Sequence, residues 1–397
     1  MRNLVVFSGS SHPALVKDIC SYLCISPGDA QLTKFKNGET SVTIKDSVRN
    51  KDVYVVQSSN GHVNDMFIEL LIMISACKSA SAKKVTAILP LFPYSRQPDV
   101  PFQKAGLPHS QTQPNTPIVN KEAYFNNLSD ARSVINFKEQ TSNYKEWVVQ
   151  TGTLIADLLT QSGADHIITM DLHDPQFQGF FDIPVDNLYF KPLLISYITQ
   201  NVPNYKDSVV VSPDAGGAKR AISIADTLGL NFALIHKERR NIRSAKHASG
   251  YSLSASVSSL SLVHDHNANT ANANIGKSTS STTMLVGDVK DRDCIIIDDL
   301  VDTSSTVIRA AKILKDQGAK SVVAIITHGV FSGDAIERIK RSNIDKIVVS
   351  NSLPQSENVA KFSGSAFEVI DVSRIFGEAV RRIHNGESVS ILFDHAL

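Results

Sequence analysis

Short apolar runs that alternate with longer amphipathic stretches limit the possible folds of this 397-residue sequence more than any other feature. The runs are rich in valine and isoleucine and lack strict polar alternation, which predicts strands covered on both faces. Strands are expected at Leu4–Phe7, Val53–Gln57, Val85–Leu89, His166–Met170, Ser208–Val211, Phe232–Ile235, Cys294–Ile297, Val322–Thr327 and Lys346–Ser350. Helices are expected at Asn64–Ser79, Val149–Ser162, Ala218–Leu228, Thr306–Gln317 and Ala335–Ser342. This alternation indicates β-α-β units and parallel sheets, and hence an α/β fold.

The number of predicted strands is large for one sheet, so we predict two tandem α/β domains, each a mainly parallel sheet flanked by helices. The boundary is expected near Asn187–Pro192, which divides the chain into residues 1–189, residues 190–384 and a C-terminal tail at 385–397. Two polar segments, at about 100–143 and 243–283, show no sustained helical or strand period. We interpret both as insertions that project from a regular scaffold.

Composition restricts the partners and the compartment. The formal net charge is +1, so the chain as a whole has no electrostatic attraction to nucleic acid or to a membrane, and any anion site must be local. The longest apolar stretch, Phe67–Cys77, contains Glu69 and is too short to span a bilayer. The cysteines form no C-x-x-C pair, and the N-terminus carries no secretory signal. We therefore expect a cytoplasmic protein that binds neither nucleic acid nor membrane.

A run of acidic residues with one histidine follows the strand expected at His166–Met170. Asp171 and His173 come directly after the strand, and Asp182 and Asp186 follow in the same run. Ligand sites in open α/β sheets lie beyond the carboxyl ends of strands, and period-two spacing would put Asp171 and His173 on one side of the backbone. Carboxylates with an imidazole suit a hard cation such as Mg²⁺. A solvated loop at the end of a strand explains the same residues, so both interpretations stay open.

Two further strand ends carry features of phosphate sites. Ser212–Arg220 places a pair of glycines between a strand and a helix, where backbone N–H groups and the helix N-terminus favour an anion. Asp298–Thr306 places paired acids and then a hydroxyl-rich turn at the start of another helix. Such a turn suits a phosphate, and Asp298 and Asp299 are then placed for sugar hydroxyls or a metal. An ordinary strand-to-helix turn at the first segment and a plain N-cap at Thr303 are the simpler alternatives.

Basic residues follow the strand expected at Phe232–Ile235. The segment His236–Arg240 contains one lysine and two arginines. At a strand end these side chains are placed to neutralise charge on a transferring phosphoryl group. Taken alone, the segment fits a solvated basic turn better.

Taken together, these four segments resemble one family, the ribose-phosphate pyrophosphokinases or PRPP synthetases. Asp171–Asp186 is similar to the divalent-cation signature of the family, Ser212–Arg220 to its pyrophosphate loop, and Asp298–Thr306 to its ribose-5-phosphate loop. His236–Arg239 is similar to the basic segment that holds the catalytic lysine and arginine. The resemblance covers nearly all of the chain outside the two insertions, and it implies two tandem phosphoribosyltransferase-like domains.

The resemblance implies an enzyme that transfers the β,γ-diphosphoryl group of ATP to the 1-hydroxyl of ribose 5-phosphate and releases AMP, with Mg²⁺ as cofactor. It also implies a homo-oligomer or a hetero-oligomer with paralogous subunits. The implied catalytic residues are Lys237 and Arg239. The implied ATP-binding residues are Phe35, Asn37, Glu39, Arg96, Gln97 and His173. The implied ribose-5-phosphate residues are Asp214, Asp298, Asp299, Asp302, Thr303, Ser304 and Thr306, and the implied metal residues are Asp171, His173, Asp182 and Asp186.

Three departures from the family pattern bear on activity. Pro98–Lys104 stands where the family has an acidic, lysine-rich loop, Ser305 replaces a glycine of the phosphate loop, and Pro175 replaces a serine of the allosteric phosphate site. A catalytically weak regulatory or scaffolding subunit of a heteromeric complex is therefore the alternative to an active subunit. A phosphoribosyltransferase that consumes PRPP is a second alternative, although that class normally needs one such domain and a base-binding hood.

Overall fold

The first sheet of the protein is formed by strands from the N-terminal half. The computed structural model describes residues 2–96, 151–241, 279–362 and 364–394, leaving aside the side chains of 237–241, 279–284 and 394. The elements of this half are β1 (Leu4–Ser8), α1 (Pro13–Tyr22), β2 (Ala30–Lys34), β3 (Thr40–Ile44), β4 (Asp52–Val56), α2 (Val63–Ser79), β5 (Lys84–Leu89), α3 (Thr151–Ser162), β6 (His166–Met170), a 3-10 helix (Pro175–Phe180) and β7 (Val185–Leu188). Within the described residues, five strands form a parallel sheet in the order β1-β4-β5-β6-β7, and β2 and β3 form a separate antiparallel hairpin.

The second sheet is formed by strands from the C-terminal half. Its elements are α4 (Lys191–Asn201), a 3-10 helix (Tyr205–Asp207), β8 (Val209–Ser212), α5 (Ala218–Leu228), β9 (Asn231–Asn241), β10 (Thr279–Val286), β11 (Asp293–Val301), α6 (Ser305–Asp316), β12 (Ser321–Gly329), α7 (Ala335–Lys340), β13 (Lys346–Ser350), α8 (Ser356–Ala360), a 3-10 helix (Gly364–Ala366), β14 (Phe367–Ile370), α9 (Ser373–Asn385) and α10 (Ile391–Asp394). The strand order is β10-β9-β8-β11-β12-β13-β14, and only β10 is antiparallel to its neighbour among these described strands.

The two sheets confirm the predicted α/β fold with mainly parallel sheets flanked by helices. Sequence patterning missed the hairpin β2–β3, the short strands β7 and β14, and the helices α1, α4 and α9. The domain limits at residues 189 and 384 stay predictions. No helix in the described segments is both long and apolar enough to cross a bilayer.

The antiparallel pair β9–β10 corrects two expectations. Strand β9 continues to Asn241, so the basic segment His236–Arg240 lies within a strand and not in a turn. Strand β10 begins at Thr279, inside the segment predicted to be an irregular insertion. The strands supply backbone hydrogen bonds to each other across a long sequence separation, which local periodicity cannot reveal. The rest of that insertion, and all of the one at 100–143, lie outside the described residues.

A shared apolar core lies between the two sheets. Successive residues of a strand point to opposite faces, so β1 directs Leu4 and Val6 into the shared core and Val5 and Phe7 into the outer core of the first sheet. The shared core also contains side chains of the second sheet, such as Ile295, and of helices α1, α4, α5 and α9. Helices α2 and α3 cover the outer face of the first sheet, and α6 and α7 cover that of the second. The two sheets therefore have one common interior, which sets their relative position.

A buried carboxylate links helix α1 to helix α9 at the edge of the shared core. Tyr22 Oη donates to Glu378 Oε2 at 3.0 Å, and Arg381 donates to both oxygens of Glu378 at 2.7 and 2.8 Å. The hydrogen bonds from Arg381 lower the pKa of Glu378 to about 2. The ionised carboxylate is thus stabilised in the folded protein relative to the unfolded chain.

We predict that Phe376→Ala lowers the free energy of unfolding by about 3–5 kcal/mol, because it removes a fully buried ring from the shared core. Urea denaturation measures the change. Phe35→Ala is the matched control, since its ring is 60% exposed and its loss is expected to cost about 0.5 kcal/mol or less. Equal losses in the two variants would contradict a packed core around Phe376.

We predict that Glu378→Gln lowers the free energy of unfolding at pH 7 by about 1.5–3 kcal/mol, because it weakens charge-assisted hydrogen bonds. The folded-state pKa of Glu378 is depressed, so its contribution is present above its ordinary pKa and is lost as the pH falls towards about 2. The difference in the free energy of unfolding between variant and native protein should therefore shrink below about pH 4.5. Denaturation at several pH values measures this difference. A difference that is independent of pH would show that the charge of Glu378 does not matter.

Candidate active site

The carboxyl end of β11 brings two acids to the edge of the second sheet. Residues Ile295–Ile297 are buried in the middle of the strand, so the strand holds the following Asp298 and Asp299 in fixed positions. Helix α6 begins directly after, and its N-cap is Ser304, whose φ of +63° is in the left-handed region. The N-cap is therefore not Thr303, so the simpler interpretation of that residue as a helix cap is wrong.

The loop after β8 lies beside this edge, because β8 and β11 are neighbouring parallel strands. In that loop Asp214 Oδ1 accepts from the backbone N–H of Gly217 at 3.0 Å. A Cβ atom at Gly217 would lie 3.1 Å from Ser212 Oγ, which is a closer approach than side chains normally make. Glycine at this position thus permits the tight turn into α5.

The two loops line one cavity of about 320 Å³. Every residue that the sequence assigned to ribose 5-phosphate lines it: Asp214, Asp298, Asp299, Asp302, Thr303, Ser304 and Thr306. Two residues assigned to ATP, Arg96 and His173, line it from the first sheet. The structure therefore brings together groups that are far apart in the sequence.

Charged groups from both sheets meet at Asp299, which is only 5% exposed. Its carboxylate accepts from His173 Nδ1 at 2.7 Å and pairs with Arg220 Nη1 at 2.9 Å. Burial by itself would raise the pKa of Asp299, but His173 and Arg220 hold it well below its ordinary value. The hydrogen bond to Asp299 in turn raises the pKa of His173.

The neighbouring acid has the opposite charge preference. Burial, followed by the charge of Asp299, raises the pKa of Asp298 well above its ordinary value. The surroundings of the pair therefore favour a charge on Asp299 more strongly than on Asp298. Sugar hydroxyls donate hydrogen bonds as well as accept them, so the carboxyl oxygens of this pair offer suitable partners for them.

A second ion pair crosses the cavity. Arg96 Nη1 lies 2.6 Å from Asp302 Oδ2. Burial favours the protonated form of Asp302, yet hydrogen bonds from Ser332 and Arg96 lower its pKa. The cavity therefore holds two contacts between basic groups of the first sheet and acids of the second.

The loop after β6 is arranged differently from the prediction. Strand β6 ends at Met170, and Asp171 has a φ of +41°, so the period-two argument for placing Asp171 and His173 on one side does not apply. Asp171 Oδ2 accepts from Thr327 Oγ1 at 2.7 Å, whereas His173 reaches Asp299. The two side chains thus make separate contacts with the second sheet.

The four residues predicted to bind metal do not converge. Asp182 is exposed, and Asp186 lies within β7 and pairs with His166 Nε2 at 2.8 Å, at the start of β6 and away from its carboxyl end. Among the described residues, no group of three or more histidine, cysteine, aspartate or glutamate side chains is arranged to hold a metal ion. Of the four, only His173 lines the cavity, which it shares with the carboxylate of Asp214.

Other predicted site residues lie elsewhere. Phe35, Asn37 and Glu39 lie in the turn of the β2–β3 hairpin, and none of these three lines the cavity. Gln97 lies outside the described residues, and the side chains of Lys237 and Arg239 also lie outside them. Only the backbone positions of these last two are known, within β9.

The structure adds residues to which the sequence gave no specific role. Arg220 lies on α5 and pairs with Asp299, but the sequence could not show which of two adjacent basic residues points into the site. Thr327 and His328 lie near the end of β12, where Thr327 contacts Asp171 in the loop after β6 and His328 contacts Met170 at the end of β6. Two polar residues at the end of a buried strand are a local signal that could have indicated them. Burial lowers the pKa of His328, which favours its neutral form.

Comparisons with known proteins agree with this architecture. The sequence matches the N-terminal domain of ribose phosphate pyrophosphokinase over residues 4–104 and the phosphoribosyl synthetase-associated domain over residues 204–394. It is 54% identical over 395 residues to ribose-phosphate pyrophosphokinase 5 of Schizosaccharomyces pombe, a match that covers 100% of this chain and 98% of that protein. The crystal structure of phosphoribosylpyrophosphate synthetase from Mycobacterium smegmatis matches with a TM-score of 0.70 and 30% identity, over 97% of this chain and 100% of that one.

Fold and relatives place the chain among the transferases of diphosphate groups. The chain belongs to the ribose-phosphate pyrophosphokinase family, and it is a PRPP synthetase-type subunit. The family resemblance inferred from the sequence motifs is thus confirmed.

We predict that Asp299→Asn lowers the pKa of His173 from its raised value towards the ordinary 6.5, because Asn cannot form the ion pair. The pair contributes fully below about pH 6.5 and is lost as the pH rises through the raised pKa of His173. NMR titration of the ring protons measures this pKa. Asp302→Asn is the control, since Asp302 pairs with Arg96 and not with His173. An unchanged pKa in Asp299→Asn would exclude Asp299 as the cause.

Proposed function

We propose that this chain transfers the β,γ-diphosphoryl group of ATP to O1 of ribose 5-phosphate, giving PRPP and AMP for nucleotide biosynthesis. One observation carries the proposal. A single cavity collects all seven residues assigned to ribose 5-phosphate together with Arg96 and His173 from the ATP side. Acceptor and donor groups would therefore meet within one cavity, as a transfer reaction requires.

Ribose 5-phosphate would enter with its phosphate at the start of helix α6. The loop at 302–306 offers backbone N–H groups and hydroxyls at a helix N-terminus, which favours a phosphate group. The ribose hydroxyls would meet the acid pair Asp298 and Asp299, whose carboxyl oxygens can accept hydrogen bonds from them. This orientation would direct O1 towards the ATP side of the cavity.

Mg²⁺ fits the donor set of the cavity. His173 and Asp214 both line it, and Mg²⁺ in proteins is commonly bound through one or two carboxylates with phosphate oxygens completing its shell. We propose that these two residues hold the ion; when bound, it neutralises charge on the phosphates. Asp171, Asp182 and Asp186 would then shape the surroundings, because their side chains are directed elsewhere or lie outside the cavity.

The transfer itself needs positioning and charge neutralisation more than covalent chemistry. O1 of the ribose would attack the β-phosphorus of ATP, the bond from that phosphorus to the oxygen bridging to the α-phosphorus would break, and AMP would leave with that oxygen. The hydroxyl proton of O1 is released. By family resemblance, Lys237 and Arg239 would stabilise the charge that develops on the transferring group.

Adenosine binding would require a second subunit. The ring of Phe35 is 60% exposed at the tip of the β2–β3 hairpin, and the hairpin residues assigned to adenosine do not line the cavity of their own chain. We propose that the hairpin reaches the site of a neighbouring subunit, either a second copy or a paralogue. Homo- or hetero-oligomeric assembly would then be needed for full activity.

One observation favours a second candidate function, that of a catalytically weak regulatory subunit. Ser305 lines the cavity, and its hydroxyl lies 3.4 Å from Thr303 Oγ1 and accepts from Arg338 Nη1 at 3.3 Å. The family has a glycine here, which allows closer approach of the phosphate to the backbone. The added side chain would weaken binding of ribose 5-phosphate by this chain while leaving its fold and assembly intact.

We predict that the purified chain, alone or with a paralogous subunit, forms AMP from ATP and ribose 5-phosphate in the presence of Mg²⁺. Lys237→Ala should lower kcat on the order of a thousandfold, because it removes charge that stabilises the transition state. Lys17→Ala, at an exposed position on α1, is the matched control and should leave kcat unchanged.

The outcomes separate the candidate functions. A complex that keeps full activity with Lys237→Ala would identify this chain as the regulatory subunit. An intact fold with no turnover in either setting would exclude the enzyme. Consumption of PRPP only when a nucleobase is added would instead indicate a phosphoribosyltransferase.

A further inference from the structure

Two residues at the carboxyl end of β12 reach across the interface between the sheets. Thr327 Oγ1 donates to Asp171 Oδ2 at 2.7 Å, and His328 Nε2 lies 3.0 Å from the backbone oxygen of Met170. Both side chains are almost completely buried, with 3% and 2% exposure. A carbonyl oxygen only accepts, so Nε2 of His328 carries the proton in this contact. The second sheet therefore holds two consecutive residues at the point where β6 becomes a loop.

The orientation of each partner is itself determined. Asp171 Oδ1 accepts from the backbone N–H of Phe190 at 3.3 Å, so both of its oxygens have donors. His328 Nδ1 lies 2.9 Å from Ser352 Oγ, and the backbone oxygen of Ser352 accepts from Ser58 Oγ at 2.7 Å. Ser352 thus provides a further buried connection between His328 of the second sheet and Ser58, which follows a strand of the first. Buried and satisfied polar groups of this kind hold a single geometry.

The contacts of Thr327 and His328 lie next to the candidate active site, because β12 pairs with β11. In the register of β11 and β12, Asp298 lies opposite Ile326 and Leu300 opposite His328. Thr327 is therefore in the strand next to Asp298 and Asp299, while His173 lies two residues beyond Asp171 in the loop after β6. The two hydrogen bonds lie at the start of the loop that carries His173, whose Nδ1 is 2.7 Å from Asp299 Oδ2.

We propose that Thr327 and His328 are positioning residues, which hold the loop from Asp171 to His173 at its working distance from the acid pair. Neither residue lines the cavity of the acid pair, and they act through the backbone and carboxylate at the start of that loop. The kinetic consequence rests on the proposed diphosphoryl transfer, whereas the consequence for the loop does not.

The kinetic test uses Thr327→Val, which keeps the shape of the side chain and removes the hydroxyl. We expect kcat to fall by about ten- to a hundredfold, with KM for ribose 5-phosphate changed by no more than about threefold, because a misplaced loop harms the transition state more than substrate binding. Thr327→Ser keeps the hydroxyl and should restore kcat to within about threefold of native.

The matched control is Thr169→Val. Thr169 is also fully buried and hydrogen-bonded, donating to the backbone oxygen of Leu89 at 2.8 Å, but this contact stays within the first sheet. It lies two residues before Asp171 and should leave kcat within about threefold of native. A general loss of packing would affect both valine variants alike, and a loss of positioning only Thr327→Val.

A second measurement does not depend on turnover. Hydrogen–deuterium exchange of the full-length chain should show the amides of residues 171–181 exchanging about tenfold faster in Thr327→Val, since one charge-assisted hydrogen bond is lost, and unchanged in Thr327→Ser and Thr169→Val. If the native chain shows no turnover at all, the proposed function fails and exchange alone decides this proposal. The proposal is overturned if Thr327→Val matches Thr169→Val in loop exchange, or if Thr327→Ser is as impaired as Thr327→Val.

Discussion

The apolar core shared by the two sheets is the constraint on which the rest of the structure depends. Inward-facing side chains of β1, β4, β5 and β6 pack with those of β8, β11, β12 and β13 and with helices α1, α4, α5 and α9. Neither sheet could bury that face alone, so the sheets have one relative position. That position brings the carboxyl end of β6 next to those of β11 and β12. The site between them is therefore a consequence of hydrophobic packing, and polar contacts refine it.

Charge in the site is balanced by pairing across the sheets. Asp299 is almost fully buried, and an unpaired carboxylate there would be strongly disfavoured. His173 from the first sheet and Arg220 from α5 stabilise its ionised form, while burial raises the pKa of the neighbouring Asp298. Arg96 from the first sheet likewise forms an ion pair with Asp302 in the same cavity. In this way the buried acids of the cavity have basic partners that compensate their charge.

The sequence was informative about the site wherever the signal was local. The acid pair and hydroxyl-rich turn after β11, and the glycine turn after β8, could be located from their own strand–turn–helix context, and all of them line the cavity. The arrangement of the predicted metal residues in Asp171–Asp186 was harder to predict. The prediction extended the strand period of β6 past Met170, whereas the backbone turns at Asp171. Which side chains converge depends on the fold of the loop, and Asp186 paired with His166 instead.

By itself, the sequence determined the parallel α/β class, the strand ends that line the candidate site, and membership of the family, because each of these depends on short segments with characteristic order. Only the tertiary structure decided that Arg220 pairs with Asp299 and that His173 hydrogen-bonds to the same carboxylate. The same holds for the contacts of Thr327 and His328 with Asp171 and Met170. His173 and Asp299 are 126 positions apart. Contacts over such separations are selected by the joint packing of two sheets, and no local pattern encodes them.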